Sequence, residues 1–79
     1  MNSEFWPTKE EVAEIRKKYP EGTKIEVIKM DDPTPVPPGT IGIVTTVDDI
    51  GNLHCQYLNY RSGLAIVPSK DKFKVIKWD

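Results

Sequence analysis

Cysteine is almost absent from this chain: Cys55 is the only one in 79 residues. Without a second thiol there is no internal disulfide, the device by which small extracellular domains offset a thin core, and the expected compartment is a reducing cytoplasm. A surplus of basic charge is missing too. The 11 Lys+Arg and 12 Asp+Glu leave a net charge of −1, which makes phosphate backbones a poor default partner. No apolar run approaches the roughly 18 residues of a membrane span. Met1 to Pro7 lack the basic and apolar stretches of a secretory leader, so no membrane partner is expected. A chain this short builds one core, so residues 1–79 are read as one domain, and a two-domain enzyme or a large buried cofactor is excluded.

What the chain does have is ordered by segment. Thr8 followed three residues later by Glu11 is a capping box, each side chain able to satisfy the other's backbone N–H. Val12, Ile15 and Tyr19 then recur at helical spacing, Glu14 and Lys18 form an i, i+4 pair, and Arg16, Lys17 and Lys18 suit the negative C-terminal end. Pro20 and Gly22 stop the helix. About three turns are too few to persist alone in water, so the helix must dock. Ahead of it, Phe5 and Trp6 are expected to pack as a staple or, if exposed, to serve as an interface anchor.

From Thr23 the pattern turns β-rich. Lys24 to Met30 alternates with Ile25 and Val27 on one side, and Thr40 to Val47 is β-branched except at Gly42, where a bulge or a close backbone approach is expected. Between them, Pro33, Pro35, Pro37 and Pro38 fall within six residues and hold Asp31 to Gly39 as a stiff extended loop. Asp48-Asp49-Ile50-Gly51-Asn52 is hairpin chemistry leading into Leu53 to Leu58. A loop from Asn59 to Gly63, an apolar run Leu64 to Val67, a break at Pro68 to Asp71 and an alternating segment through Phe73 and Val75 complete the chain. Five strands joined by short turns predict a small antiparallel barrel or sandwich.

Met30-Asp31-Asp32-Pro33, Pro35-Val36-Pro37-Pro38-Gly39-Thr40, Gly42 and Val44, then Val47-Asp48-Asp49, Gly51 and Leu53-His54, form one pattern. With Leu64-Ala65, Val67-Pro68, Asp71, Phe73 and Val75-Ile76, it resembles the family called domain of unknown function 4314 over roughly residues 20 to 77. The resemblance implies a source among Gram-positive gut bacteria, their phages or conjugative elements, and assigns no activity and no site residues. The chain departs from the pattern at Leu58 to Gly63 and at Ser69-Lys70. Gly63 through Pro68-Ser69 into Phe73 is also similar to the closing segment of SH3-like barrels, and Gly39, Gly42 and Val44 to the glycine pattern of KOW-type barrels. The expected fold is therefore α+β: an N-terminal segment and helix (1–22) packed on a five-stranded antiparallel SH3-like small β-barrel (23–79).

Several residue groups carry chemistry. His54 beside Cys55 suggests a base and a nucleophile, but strand neighbours point to opposite faces and cannot converge, so no catalytic residue is assigned. Asp31-Asp32 and Asp48-Asp49 could offer oxygens to a hard cation, yet no EF-hand spacing is present and turn chemistry explains them, so neither metal nor other cofactor is expected. Lys70, Lys72 and Lys74 recur at period 2, with Lys77, Trp78 and Arg61 in range; such a stripe either tracks a phosphate backbone or shields an exposed strand edge. The proline loop either closes one end of the barrel or presents a rigid extended segment to a partner.

Charge counted by segment separates what the net value averages: residues 54–79 carry five basic against two acidic groups, residues 23–53 two against five. The function expected is a non-enzymatic module that binds a protein partner through Pro33, Pro35, Val36, Pro37, Tyr57, Tyr60, Arg61 and Trp6. Two alternatives stay open: a weak nucleic-acid-binding barrel using Lys70, Lys72, Lys74, Lys77 and Trp78, and a phage-encoded inhibitor of a host defence nuclease. No residue cluster implies a small-molecule substrate.

Overall fold

The computed structural model describes residues 7–78. Thr8 caps helix α1 (Lys9–Lys18) through the expected box: its Oγ1 accepts from the Glu11 N–H at 3.1 Å and Glu11 Oε1 accepts from the Thr8 N–H at 2.7 Å. Four strands follow, β1 (Lys24–Lys29), β2 (Ile41–Val47), β3 (Leu53–Tyr57) and β4 (Lys72–Val75), forming one antiparallel sheet in the order β3-β2-β1-β4. Phe5 and Trp6 lie outside the described residues.

The α+β class is as expected, but among the described residues the sheet has four strands and is open, so the five-stranded closed barrel is corrected. The missing strand is Leu64 to Val67. It contributes a single bridge, in which Ile66 and Leu53 exchange two backbone hydrogen bonds of 2.8 Å. On either side its backbone is taken by side chains: the Leu64 carbonyl accepts from the Tyr57 hydroxyl, and the Val67 N–H donates to Asp71. Pro68 then offers no N–H. A ladder needs consecutive free backbone groups, and here the groups of Leu64, Ile66 and Val67 are already taken.

Alternation fixes what is inside. Ile25 and Val27 of β1, Val44 and Val47 of β2 and Leu53 and Tyr57 of β3 join Met30, Val36 and Ile66 in the core, with Ile15, Tyr19, Cys55, Leu64 and Phe73 packed against it. Helix α1 docks through Val12, which is buried, and through Tyr19, whose ring stands 5.3 Å from that of Phe73. Gly51 turns with φ +82° directly beneath the helix, where an added Cβ would come within 2.9 Å of Ile15 Cδ1. Arg16 adds a polar tie to the same hairpin, donating to the carbonyls of Val47 and Asp48 and to Asp49 Oδ1, each at 3.3 Å. The close approach expected at Gly42 is present: a Cβ there would meet Tyr57 Cδ1 at 3.1 Å.

Candidate functional site

In an antiparallel sheet the end of one strand lies beside the start of the next. The end of β1, the start of β2, the end of β3 and the start of β4 therefore share one end of the sheet. The connections that emerge there are residues 30–40 and residues 58–71. Pro33, Pro35, Pro37, Pro38, Tyr60, Arg61 and Lys70 are all on them and all exposed. The hairpin at 48–52, the α1 to β1 turn, Lys77 and Trp78 belong to the opposite end.

Three buried groups hold the loop end in shape. Val36, the centre of the proline loop, has 0% exposure and belongs to the core. Asp71, 8% exposed, accepts from the Asp31 N–H through Oδ1 at 2.8 Å and from the Val67 N–H through Oδ2 at 2.7 Å, so one carboxylate ties the proline loop to the segment before β4. Tyr57 donates its hydroxyl to the Leu64 carbonyl at 2.8 Å, and burial raises its pKa far above the usual phenol value, with the neighbouring Cys55 and Asp71 adding to the shift. The loop itself starts as an Asx turn, Asp32 Oδ2 accepting from the Thr34 N–H at 2.8 Å. It ends with the Gly39 N–H donating to the Val27 carbonyl at 2.7 Å.

Two expected contact residues are thereby withdrawn. Val36 and Tyr57 are buried in the domain's own core, so their side chains cannot meet a partner while the fold is intact. Pro33, Pro35, Pro37, Tyr60 and Arg61 remain accessible, and Trp6 lies outside the described residues.

The lysines expected to form a stripe divide between the two ends. Lys70 sits in the turn before β4, Lys72 and Lys74 are exposed on the strand, and Lys74 Nζ lies 3.8 Å from Glu26 Oε1. Trp78 is 63% exposed but fixed: its Nε1–H donates to the Gly22 carbonyl at 2.9 Å and Lys24 Nζ stands 5.1 Å from the ring centroid.

His54 and Cys55 do not converge. His54 Nε2 lies 2.9 Å from Asp48 Oδ2, whereas Cys55 pairs with Val44 and packs against the core, where burial pushes its thiol up to about 11. A thiol so raised is not a thiolate at neutral pH. Among the described residues no three His, Cys, Asp or Glu side chains are grouped to hold a metal ion, and no helix is long and apolar enough to cross a membrane.

Asp48 is the group the sequence undervalued. Its Oδ1 accepts from the Ile50 and Asn52 N–H groups at 3.1 and 2.9 Å while Oδ2 holds His54. Burial favours its neutral form, but the Asn52 amide, His54 and the Ile50 amide together outweigh this and leave its pKa below the ordinary carboxylate value. The sign of the linkage follows. A carboxylate whose folded pKa is depressed stabilises the fold above the unfolded carboxylate range, and loses that contribution as pH falls through the folded pKa. Melting temperature measured from neutral to strongly acidic pH should therefore fall less steeply in Asp48→Asn than in the parent; equal slopes would remove Asp48 from the acid response.

The signal that could have found this pair is its spacing: Asp48 and His54 are six apart across a tight hairpin, which brings strand-end side chains together. The tie from Asp71 to Asp31 had no such signal, because the two are forty residues apart and meet only in the fold, whereas the bond to Val67 is a local turn contact four residues back. No curated protein and no solved structure matches this chain. The family model described as Domain of unknown function (DUF4314) matches residues 8–76, nearly the whole chain, and the protein belongs to that family.

Proposed function

We propose that this domain is a non-enzymatic interaction module of bacterial mobile-element origin, working in the cytoplasm, that binds a protein partner with its loop end. One observation supports the reading above the others. Pro33, Pro35, Pro37, Tyr60 and Arg61 are exposed on two connections that emerge side by side, and both connections are held from within by Val36, Asp71 and Tyr57. A preorganised surface loses little conformational entropy on binding, and tyrosine and arginine are the side chains most often energetic at interface centres. His54 and Cys55 are committed to a hairpin clamp and to the core, so these two do not act together as base and nucleophile.

The test uses the tagged chain as bait in a Gram-positive bacterial extract, compared with a Tyr60→Ala/Arg61→Ala double variant. Both residues are exposed, so the variant should keep the parent's melting temperature. A protein captured by the parent should be recovered at least about tenfold less by the variant. Recovery of nucleic acid in place of protein, competed by salt, would install the nucleic-acid reading. A captured nuclease that loses activity on binding would specify the partner as that of a defence inhibitor.

A further inference from the structure

Among the described residues, the sheet has an edge whose backbone is free. Strand β4 pairs with β1 and, among the described residues, with no other strand. The Ile76 N–H donates to the Lys24 carbonyl at 2.9 Å, while Val27 turns its N–H and carbonyl to the β2 side, toward Thr40 and Gly39. Hydrogen-bonding direction alternates along antiparallel strands, so Lys74 and Ile76 face β1, and Phe73 and Val75 direct their N–H and C=O groups outward. Val75 is 53% exposed, Lys72 and Lys74 are exposed, and the Phe73 ring is held from the helix side by Tyr19. The result, among the described residues, is a strand with two residues' worth of unpaired backbone groups, Phe73 between Lys72 and Lys74 and Val75 just beyond Lys74.

The lysines decide what can pair there. If a second copy added its own β4 antiparallel with matching faces, the two registers of greatest overlap would set Lys74 against Lys74, or Lys72 against Lys74, which like-charge repulsion disfavours. A basic or neutral strand gains nothing from the pair. A strand with carboxylates at every second position gains a cross-strand ion pair at Lys72, adds a second carboxylate beside Lys74, which already lies 3.8 Å from Glu26, and keeps its intervening side chains on the face of Phe73 and Val75, where apolar residues fit. We propose that the open edge of β4 is a docking site for an extended, alternately acidic and apolar segment of a partner protein, which adds a strand beside Phe73 and Val75. This surface is distinct from the loop end, so the two can succeed or fail independently.

The test titrates the isotopically labelled full chain, at low ionic strength, with an acetylated and amidated heptapeptide of alternating glutamate and valine. The amide signals of Phe73 and Val75 should shift and their hydrogen exchange should slow. Lys72→Glu/Lys74→Glu, whose amide spectrum verifies its fold, should bind this peptide roughly tenfold more weakly and accept a lysine–valine counterpart. Methylating the peptide's edge-facing amide nitrogens should abolish the Phe73 and Val75 shifts. The proposal is overturned if those two amides do not respond, if the methylated peptide binds equally well, or if an oligonucleotide of equal charge binds more tightly at the same residues.

Discussion

Asp71→Ala should lower the melting temperature by about 10–20 °C, the largest effect expected of any single polar substitution in this chain. The carboxylate is buried and accepts from two backbone N–H groups forty and four residues away in sequence. Alanine leaves both donors without a partner and opens a gap beneath the proline loop. A buried donor left unsatisfied costs about 1–3 kcal/mol; both donors here are only partly buried, so together they cost roughly 2–4 kcal/mol, the lower part of the doubled range. A domain of this size has a total stability of only about 4–12 kcal/mol. Asp71→Asn restores one acceptor but turns an NH2 group toward the other donor, and should recover less than half of the loss. Hydrogen exchange gives the specific readout: the Asp31 and Val67 amides should lose protection before those of β2. A fall of less than about 4 °C would mean that water replaces the carboxylate and that the loop end is not held by it.

The second large effect is expected at Val36. Val36→Ser should cost about 3 kcal/mol, because it removes apolar surface from a site with no solvent exposure and leaves a hydroxyl without a partner there. Pro35→Ala and Pro37→Ala, both exposed, should each cost no more than about 1 kcal/mol, the entropy that proline withholds from the unfolded chain. Denaturant midpoints of the three variants separate two parts of one loop. If the serine variant were as mild as the proline variants, Val36 would not be anchoring the loop. If the proline variants fold normally but release a captured partner, the exposed ridge is the recognition element and the buried valine is its foundation.

How much of this was readable beforehand depends on whether the signal was local. The helix start at Thr8, its stop at Pro20 and Gly22, the β1 alternation and the 48–52 hairpin rest on interactions within a few residues, and each is present in the fold. The segment Leu64 to Val67 looked equally strand-like, with four apolar residues between breakers. It failed as a strand because the side chains of Tyr57 and Asp71, which lie outside the apolar run itself, claim backbone groups a ladder would use. The same blindness applies to the candidate site. Exposed prolines, Tyr60 and Arg61 could be nominated from residue type, but the inward turn of Val36 could not, since a hydrophobic residue in a loop reads alike whether it plugs the core or faces a partner; the burial of Tyr57 follows from its place on the Leu53 face of β3. Charge by segment did foreshadow the basic β4 edge; that this edge is unpaired among the described residues is a fact of strand order.

That strand order also bears on the sequence of events during synthesis. Ile25 of β1 is paired with Val75 of β4, so the chain must close a loop of about fifty residues to make this contact. The β1-β2-β3 meander needs only nearer partners and can assemble first, leaving β1 with one unpaired side until β4 docks. During that interval the backbone of Lys24 and Glu26 offers nascent chains a place to cross-pair. The last strand to arrive is the one that covers this site, and it carries lysines on the edge that takes over as the new boundary.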